Sequence, residues 1–485
     1  MSRDQTVLSR RNALLAGVTT TAAVSLSACA TETTQVTAEV ATELGGLLVN
    51  ARDFGVVGEG ADVSRNLQVA IDFARNNGLT LYLPAGDYLA DGLILRDQSR
   101  IRGAGPEATV IRAVPGSRNS AVLTIDSGPV RSVLLEGVGV IAADGNGEQH
   151  GIHVAARRVG GDNASGLWHS DFRNVRVYNF GGAQMWLQGG GQDALDPVQF
   201  LTFSNVVLER RHDSARSISL LMSGQVNQTL WMNGRIDGFG SRGEHPGVNV
   251  KICRQLDNYA PEPDGSTRYV SNRSGHSHLF ANVSIQQAQL GVYVDVAESV
   301  TFDTCHFEAL DTGLLFANAG QNRVDRCHFA NSAQGGGDAF SIRAVDRSLV
   351  SGSENVFIGQ YGVMASCDDS GAQVRLSNTM TDDKVVTQNL SRRIDPSSAI
   401  SVGAATTVVL KASPTPIREV SASRLPGETL VFKASDGSVF FAPGGNIDFG
   451  TLRDSIEIAA GGTLTLVRFD DGASEWAVQA VHSAM

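Results

Sequence analysis

A column of polar residues runs through the middle of the chain, and three of its members are acids. Each member directly follows an apolar residue of a recurring short strand; in order they are Tyr178, Glu209, Asp237, Gln286 and Glu308. If the strands stack as successive turns of a coil, neighbouring members lie about 5 Å apart and alternate members about 10 Å apart. Hydrolysis of a glycosidic bond uses two carboxyl groups about 5–5.5 Å or about 6.5–9.5 Å apart. Glu209, Asp237 and Glu308 are therefore the candidate catalytic residues, unless the column is simply a row of solvated acids.

A second chemistry needs basic residues in the same place. Arg210, Arg211 and His212 form a dense run after the second member of the column, and Arg235 lies just before the third. An enzyme that removes the proton next to a uronate carboxylate must neutralise that carboxylate and supply a base. These four residues are therefore candidate substrate-binding groups, although a surface charge run has the same appearance. Ca²⁺ would take the neutralising role only in a lyase, and no other cofactor or metal site is predicted.

Aromatic residues near the same strands offer flat surfaces on which sugar rings can stack. Trp168, Trp186 and Tyr178 are the candidates. Each of them equally suits a place in a packed core, so the sequence leaves both roles open.

The elements that must position these residues repeat along the chain. The run VTFDTCHFEA, which begins at Val300, matches NRVDRCHFAN, which begins at Asn322, at an offset of 22 residues. A period near 22 with alternating apolar residues is typical of one turn of a parallel β-helix, with three short strands and three turns. The same offset places His306 next to His328 on the outer face of adjacent strands. We interpret these two histidines as solvated scaffold rather than ligands.

Residues 51–89 predict how the coil begins. One apolar helix face is formed by residues at i, i+3, i+4 and i+7, namely Leu67, Ala70, Ile71 and Ala74. Almost nothing after this helix has helical periodicity. A single helix ahead of many short strands is typical of a lid over the open end of a solenoid, where apolar surface and unpaired backbone would otherwise be exposed.

The same segment resembles the opening of the pectate-lyase-like family of the rhamnogalacturonase and epimerase type. That family typically begins with a DFGA-type strand, a G-D-G turn, a helix and a P-A-G-x-Y strand; here DFGV begins at residue 53, GEG at residue 58 and PAGDY at residue 84. The resemblance implies an all-β fold, a right-handed parallel β-helix with an N-terminal capping helix. It also implies a polysaccharide substrate in a groove on the side of the acidic column.

The reaction motifs of the family are absent. The ordered N-x-D, D-D, G-H-G and R-x-K set of the polygalacturonase-type hydrolases is not present, and neither is the R-x-x-P-x-x-R signature of calcium pectate lyases. No family catalytic residue is therefore carried over. We expect a polysaccharide-cleaving enzyme, a glycoside hydrolase or a lyase, that acts on an extracellular acidic glycan. A polysaccharide C5-epimerase and a non-catalytic glycan-binding or structural surface lipoprotein are the alternatives, and the resemblance leaves a homotrimer open.

The two ends of the chain predict export and a second domain. SRRNALL, from Ser9, has the twin-arginine pattern, and LSAC, ending at Cys29, resembles a bacterial lipobox. We expect a signal peptide over residues 1–29, a linker over 30–48, the β-helix over 49–398 and a small β-domain over 399–485. Lipidation at Cys29 would anchor the protein to a membrane in the periplasm or at the cell surface. The formal net charge of −11, with no basic stripe, argues against a nucleic-acid partner.

Overall fold

The apolar alternation of the repeats produces a coil of stacked parallel strands. In the computed structural model of this chain, 33 of the described strands form one sheet. Its strands pair in parallel from one turn of the coil to the next, except the last, Lys384–Val386, which pairs antiparallel with Thr379–Thr381. This architecture is a parallel β-helix, which confirms the predicted fold class. Each turn contributes strands to three faces, which we call the first, second and third faces in chain order.

The structure describes a defined part of the chain. The described residues are 48–125, 129–144, 147–155, 166–190, 197–210, 216–238, 247–256, 274–331, 340–359, 363–367, 372–377, 379–381, 384–386, 391–394, 399–403, 407–422, 429–435, 437–442, 446–448, 455–468 and 476–482. The predicted signal peptide, the linker and Cys29 lie outside them. No helix within these residues is long and apolar enough to cross a membrane.

The strands of the coil have the following bounds. The first face contains Leu48–Asn50, Thr80–Leu83, Arg100–Gly103, Val198–Ser204, Val226–Met232, His276–Ala281, Glu298–Asp303, Asn322–Asp325, Leu349–Ser353 and Gln373–Ser377. The second contains Glu59–Asp62, Gly86–Leu89, Thr109–Arg112, Val207–Glu209, Arg235–Asp237, His328–Asn331, Val356–Gly359, Thr379–Thr381 and Lys384–Val386. The third contains Leu93–Leu95, Ala121–Ile125, His150–Ala155, Ala183–Gln188, Ile218–Ser223, Val248–Cys253, Phe340–Val345 and Val363–Cys367. Leu134–Ile141 and Asp171–Tyr178 continue from the first face into the second, Ser284–Asp295 and His306–Ala317 continue from the second into the third, and Pro129–Val130 and Gly166–Trp168 are short additions before the first face.

One α-helix, Ser64–Asn76, follows the first two short strands of the coil and a 3₁₀ turn at Ala51–Phe54. Its buried residues are the four that the periodicity predicts, Leu67, Ala70, Ile71 and Ala74. The helix packs against the first-face strands Thr80–Leu83 and Arg100–Gly103, so its apolar stripe covers the first turns of the coil. The Asp62 carboxylate accepts a hydrogen bond from the Ser64 backbone N–H at 2.9 Å and so holds the start of the helix.

Identical positions on successive turns stack inside the coil. On the first face the rings of Phe172, Phe203, Trp231, Phe280 and Phe302 form one ladder, with centroid separations of 4.9, 3.7, 5.9 and 5.0 Å. All five rings are at most 2% exposed. This ladder fixes the register between turns because a shift by one residue would turn the rings to the outside.

The C-terminal residues form separate small sheets. A six-stranded sheet contains Ser391–Ile394, Thr407–Leu410, Thr429–Ala434, Ile447–Asp448, Thr463–Arg468 and Trp476–His482. Two smaller sheets contain Ala399–Gly403 with Glu419–Ala422, and Ser413–Ile417 with Val439–Phe441 and Ile456–Ile458. Ser391–Ile394, which comes before the predicted boundary at 399, pairs in parallel with Thr407–Leu410 of the six-stranded sheet.

Candidate functional site

The polar column expected from the sequence lies on the second face. Tyr178 pairs in register with Glu209, Glu209 with Asp237, Asp237 with Gln286, and Gln286 with Glu308. The residue before each of these points into the core and is at most 2% exposed. Because side chains alternate along a strand, the five column residues project from the outer surface of the coil.

Two arginines from the adjacent turns enclose Glu209. Arg176 donates from Nη2 to Oε2 at 2.7 Å and from Nε to the same oxygen at 3.2 Å, while Arg235 pairs with the other oxygen, Oε1. The Glu209 side chain is 7% exposed. Both carboxylate oxygens are therefore engaged, and the placement suits an ion-pair centre that holds two arginines rather than a group that reaches a sugar.

Asp237 is covered in a similar way. Its Oδ2 lies 3.7 Å from Arg235 Nε and accepts a hydrogen bond from Gln286 Nε2 at 3.4 Å. The side chain is 4% exposed. Glu209 and Asp237 therefore do lie on neighbouring turns, and both side chains are largely covered.

Tyr178 lies at one end of the column beneath an arginine. The Arg176 guanidinium carbon is 4.7 Å from the centre of the Tyr178 ring, within cation–π distance. Partial burial raises the pKa of the Tyr178 phenol, and the nearby charges of Arg176 and Arg112 offset part of that increase. The phenol is therefore a neutral hydrogen-bond donor at neutral pH. Its half-buried ring remains available as the flat edge of a binding surface.

Glu308, at the other end of the column, is the exposed acid. Its side chain is 51% exposed, and its Oε2 lies 3.2 Å from His306 Nε2. His306 Nδ1 lies 2.8 Å from His328 Nδ1 on the next turn, and the two imidazole rings stack with centroids 4.9 Å apart. The sequence interpretation treated these histidines as solvated scaffold, whereas the structure joins them to a candidate catalytic acid in one hydrogen-bonded chain.

An exposed cation precedes the second of these histidines in the sequence. Arg326 is two residues before His328, and its guanidinium pairs with Asp303 on the preceding turn at 2.6 Å. Its side chain is 56% exposed. Sequence reasoning missed Arg326, although its place two residues before a repeated histidine was a usable signal.

The structure changes the role of two predicted binding residues. Arg210 is 1% exposed, and its Nε donates to Asn249 Oδ1 at 3.0 Å, so it is part of the buried corner between the second and third faces. Trp186 is buried, and its Nε1 donates to Ser223 Oγ at 2.9 Å. Neither is placed to contact a polysaccharide. Trp168 is half-buried on Gly166–Trp168, whereas Arg211 and His212 lie outside the described residues.

A histidine cluster surrounds Trp186 on the third face. His153 stacks on Trp186 with a centroid distance of 4.4 Å and contacts Gln188 Oε1 through Nε2 at 3.0 Å. His150 Nδ1 accepts a hydrogen bond from the Ala183 backbone N–H at 2.9 Å. Burial, with a smaller effect of His153, lowers the pKa of His150 to about 3. The neutral His150 ring is thus a structural acceptor.

A separate cleft of about 400 Å³ lies at the turn that leads from the third face to the first. It is lined by Arg254, Asp295, Val296, Asn318, Asp346 and Arg347. The buried Asp295 carboxylate accepts a hydrogen bond from Arg254 Nε at 2.9 Å. Among the described residues there is no group of three or more His, Cys, Asp or Glu side chains arranged to hold a metal ion.

Comparison with known proteins adds a partial match at the start of the coil. Residues 48–133 match the family described as rhamnogalacturonase A/epimerase, pectate lyase-like. Over 112 residues the chain is 39% identical to mannuronan C5-epimerase AlgE3 and 38% identical to mannuronan C5-epimerase AlgE4, both of Azotobacter vinelandii. Each match covers 20% of this chain, but only 6% and 19% of those two proteins. The chain therefore spans less than a fifth of the length of these relatives.

Solved structures give a broader but weaker likeness. The A-module of AlgE4 from A. vinelandii aligns with 68% of this chain and 95% of its own length, at 18% identity and a TM-score of 0.45. The A-module of AlgE6 from the same organism aligns with 82% of this chain and 98% of its own length, at 17% identity and a TM-score of 0.45. The family likeness is thus carried by residues 48–133, which contain the capping helix and the first turns of the coil.

Proposed function

We propose that the protein acts on an acidic polysaccharide that lies along the second face of the coil. The observation that carries this proposal is the hydrogen-bonded series Glu308–His306–His328, in which Glu308 is exposed, together with the exposed Arg326 two residues before His328 in the sequence. A uronate supplies a carboxylate for the cation and an acidic C–H bond for the titratable groups. The partial sequence likeness to mannuronan C5-epimerases supports the same substrate class.

The arrangement favours proton transfer over hydrolysis. Hydrolysis by the usual route needs two carboxyl groups that both reach the scissile bond. Of the three acids in the column, only Glu308 is exposed, and Glu209 and Asp237 are held by arginines. We therefore infer that the reaction begins with removal of the proton next to the uronate carboxylate, which leads either to C5 epimerisation or to β-elimination.

In this proposal the residues have separate roles. Arg326 binds the carboxylate of the reacting uronate and stabilises the charge that develops there. Arg235, whose side chain is 43% exposed, contacts the carboxylate of a uronate further along the chain. Glu209 and Asp237 hold that arginine in place, and the Tyr178 ring supports a sugar at the far end.

The test is incubation of the pure protein with a panel of acidic and neutral polysaccharides in D₂O. Deuterium at C5 indicates proton removal followed by reprotonation, as in epimerisation, whereas ultraviolet absorbance of an unsaturated uronate, whose C5 carries no hydrogen, indicates elimination. Reducing ends without either signal would instead mean hydrolysis and would overturn the proposed chemistry.

Two neighbouring arginines provide a matched pair of variants. Arg326→Ala should lower kcat/KM on a polyuronate by about tenfold or more, because a charge-assisted contact is worth about 1.5–3 kcal/mol. Arg323→Ala is the control, since Arg323 is 62% exposed and also pairs with an aspartate, Asp325, at 2.9 Å. Equal activity of the two variants would remove Arg326 from the site.

A second candidate function is non-catalytic glycan binding. The cleft beside Arg254 and Arg347 favours it, because guanidinium, carboxylate and amide groups together match the hydroxyl groups of a sugar. Binding of a polysaccharide without C5 exchange, and its loss in Arg347→Ala but not in Arg326→Ala, would support this function over the enzymatic one.

A further inference from the structure

With Glu308 ionised and both histidines neutral, the hydrogen bonds of this series on the second face determine where its protons lie. An ionised Glu308 can only accept, so the 3.2 Å contact places a proton on His306 Nε2. In a neutral His306 the other nitrogen, Nδ1, then carries a lone pair. The 2.8 Å contact between the two Nδ1 atoms therefore requires His328 to donate from Nδ1. As a consequence, His328 Nε2 carries an unprotonated lone pair.

The surroundings of His328 keep this nitrogen basic but unprotonated at neutral pH. Burial, and then the neighbouring His306, lower the pKa of His328, while Glu308 raises it. The strand on one side of His328 supplies His306 and Glu308, and the register partner on the other side, Val356, brings no charge. Among the described residues, the hydrogen bonds of His328 involve Nδ1 alone.

We propose that His328 Nε2 is the general base that removes the C5 proton of a uronate, with His306 and Glu308 as positioning residues. This inference rests on the proposed function and names the group that performs its first step. The geometry follows the same logic as a nucleophile–base–orienter triad, in which each member fixes the tautomer of the next. Arg326, two residues before His328, places the substrate carboxylate beside the base.

The step balances without an additional reactant. The C5–H bond breaks, a bond forms between that proton and His328 Nε2, and the electron pair moves into the carboxylate-stabilised carbanion. His328 becomes an imidazolium whose positive charge is stabilised through His306 by the Glu308 carboxylate. In epimerisation C5 then takes a proton from water on its opposite face; in elimination the pair expels the glycosidic oxygen, which takes a proton from water. In both cases His328 gives its proton to the hydroxide that remains, which regenerates water and the neutral base.

The first experiment reads the tautomers directly and needs no substrate. The full chain is labelled with ¹⁵N-histidine, and the two imidazoles are assigned by loss of signals in His306→Gln and His328→Gln. At neutral pH the proposal expects an unprotonated Nε2 and a protonated Nδ1 on His328, with the reverse on His306. A proton on His328 Nε2 would overturn it.

The second experiment measures activity on a polyuronate in D₂O. His328→Gln should lose about 100-fold or more of the rate of C5 exchange or, if the reaction is elimination, of unsaturated-uronate formation, the usual contribution of a general base. Glu308→Gln should lower the rate and move the acidic limb of the pH profile to lower pH, because it removes the charge that raises the pKa of His328. Glu298→Gln, an exposed acid on Glu298–Asp303, should do neither.

The outcomes separate this inference from the proposed function. If the wild type is active and His328→Gln retains its reaction rate within about twofold, the role of His328 as the base is overturned, while the proposed function stands. An inactive wild type on every polyuronate overturns the proposed function and this role with it. A pH profile unchanged in Glu308→Gln removes the positioning role of the carboxylate.

Discussion

Glu209 offers a direct test of whether an acid of the column holds the structure or performs chemistry. The substitution is Glu209→Gln, which keeps the size of the side chain but removes the charge between Arg176 and Arg235. Glutamine retains one oxygen that can accept a hydrogen bond, but its amide NH₂ group would face a guanidinium. Both groups are hydrogen-bond donors, so they cannot bond to each other. Arg176 keeps an ion pair with Glu107, and Arg235 keeps the longer contact with Asp237.

The size of the effect follows from exposure. Breaking a fully buried ion pair by removing one partner costs about 3–5 kcal/mol, whereas an exposed pair is worth about 0.2–1 kcal/mol. Glu209 is nearly covered at 7%, but Arg176 and Arg235 are 28% and 43% exposed and can turn toward water. The substitution removes two partly screened ion pairs, with Arg176 and Arg235, and places an amide donor against a guanidinium. The expected loss in the free energy of unfolding is therefore about 2 kcal/mol.

The assay is urea unfolding followed by tryptophan fluorescence, since Trp231 stacks on Phe203 in the turns that carry the site. The change is read as a shift of the midpoint, because long repeat arrays do not always unfold in one step. Glu148→Gln is the matched control, as its pair with Arg216 is exposed on both sides, at 40% and 58%, and should cost no more than about 0.5 kcal/mol. Equal midpoints for the two variants, or lost activity at unchanged stability, would refute the structural role of Glu209.

Three further substitutions test the buried scaffold by the same unfolding measurement. Burial lowers the pKa of His278 to about 3, whereas the pKa of a histidine in the unfolded chain is about 6.5. The contribution of His278 to the free energy of unfolding should therefore be constant above about pH 6.5 and decrease below it. In His278→Asn, the decrease in the free energy of unfolding between pH 7 and pH 5 should be about 2 kcal/mol smaller than in the wild type. Phe203→Ala should cost about 3–5 kcal/mol, because the ring is fully buried in the first-face ladder, whereas Phe200→Ala on the same strand, at 42% exposure, should cost far less. Val296 has a φ of 61°, which a β-branched residue adopts only with strain, so Val296→Gly should raise stability by about 1 kcal/mol; a lower midpoint would contradict this.

The sequence predicts which residues share a column because strand alternation and turn-to-turn stacking follow simple periods. Glu209 and Asp237 are 28 residues apart, and Gln286 and Glu308 are 22 apart, yet all four are in register. The connections between strands absorb the difference in length. Motif alignment is therefore a better guide to the column than a constant offset.

Burial of the outward side chains cannot be read from the same pattern. The two-residue alternation along a strand predicts on which side of the sheet a residue lies, but it does not predict whether a side chain from another turn covers that residue. Glu209 is covered by Arg176, 33 residues before it, and by Arg235, 26 residues after it. Trp186 projects outward too and is covered by His153 and its own neighbours on the third face. These contacts depend on side-chain directions across turns, which single-sequence periodicity does not contain.

Repetition at one offset has opposite consequences for apolar and titratable residues. Phe307 stacks on Phe329 at 4.7 Å, and this adds buried apolar contact. His306 stacks on His328 at 4.9 Å on the outside of the same strands, but two imidazolium ions at that distance repel each other by about 1 kcal/mol in water and about 3 kcal/mol at an effective dielectric constant of 20. The neighbouring His306 accordingly contributes, after burial, to the lowered pKa of His328. A structural repeat has thus placed two imidazoles in contact on the outer surface of the coil, and one of them also contacts the exposed Glu308 carboxylate.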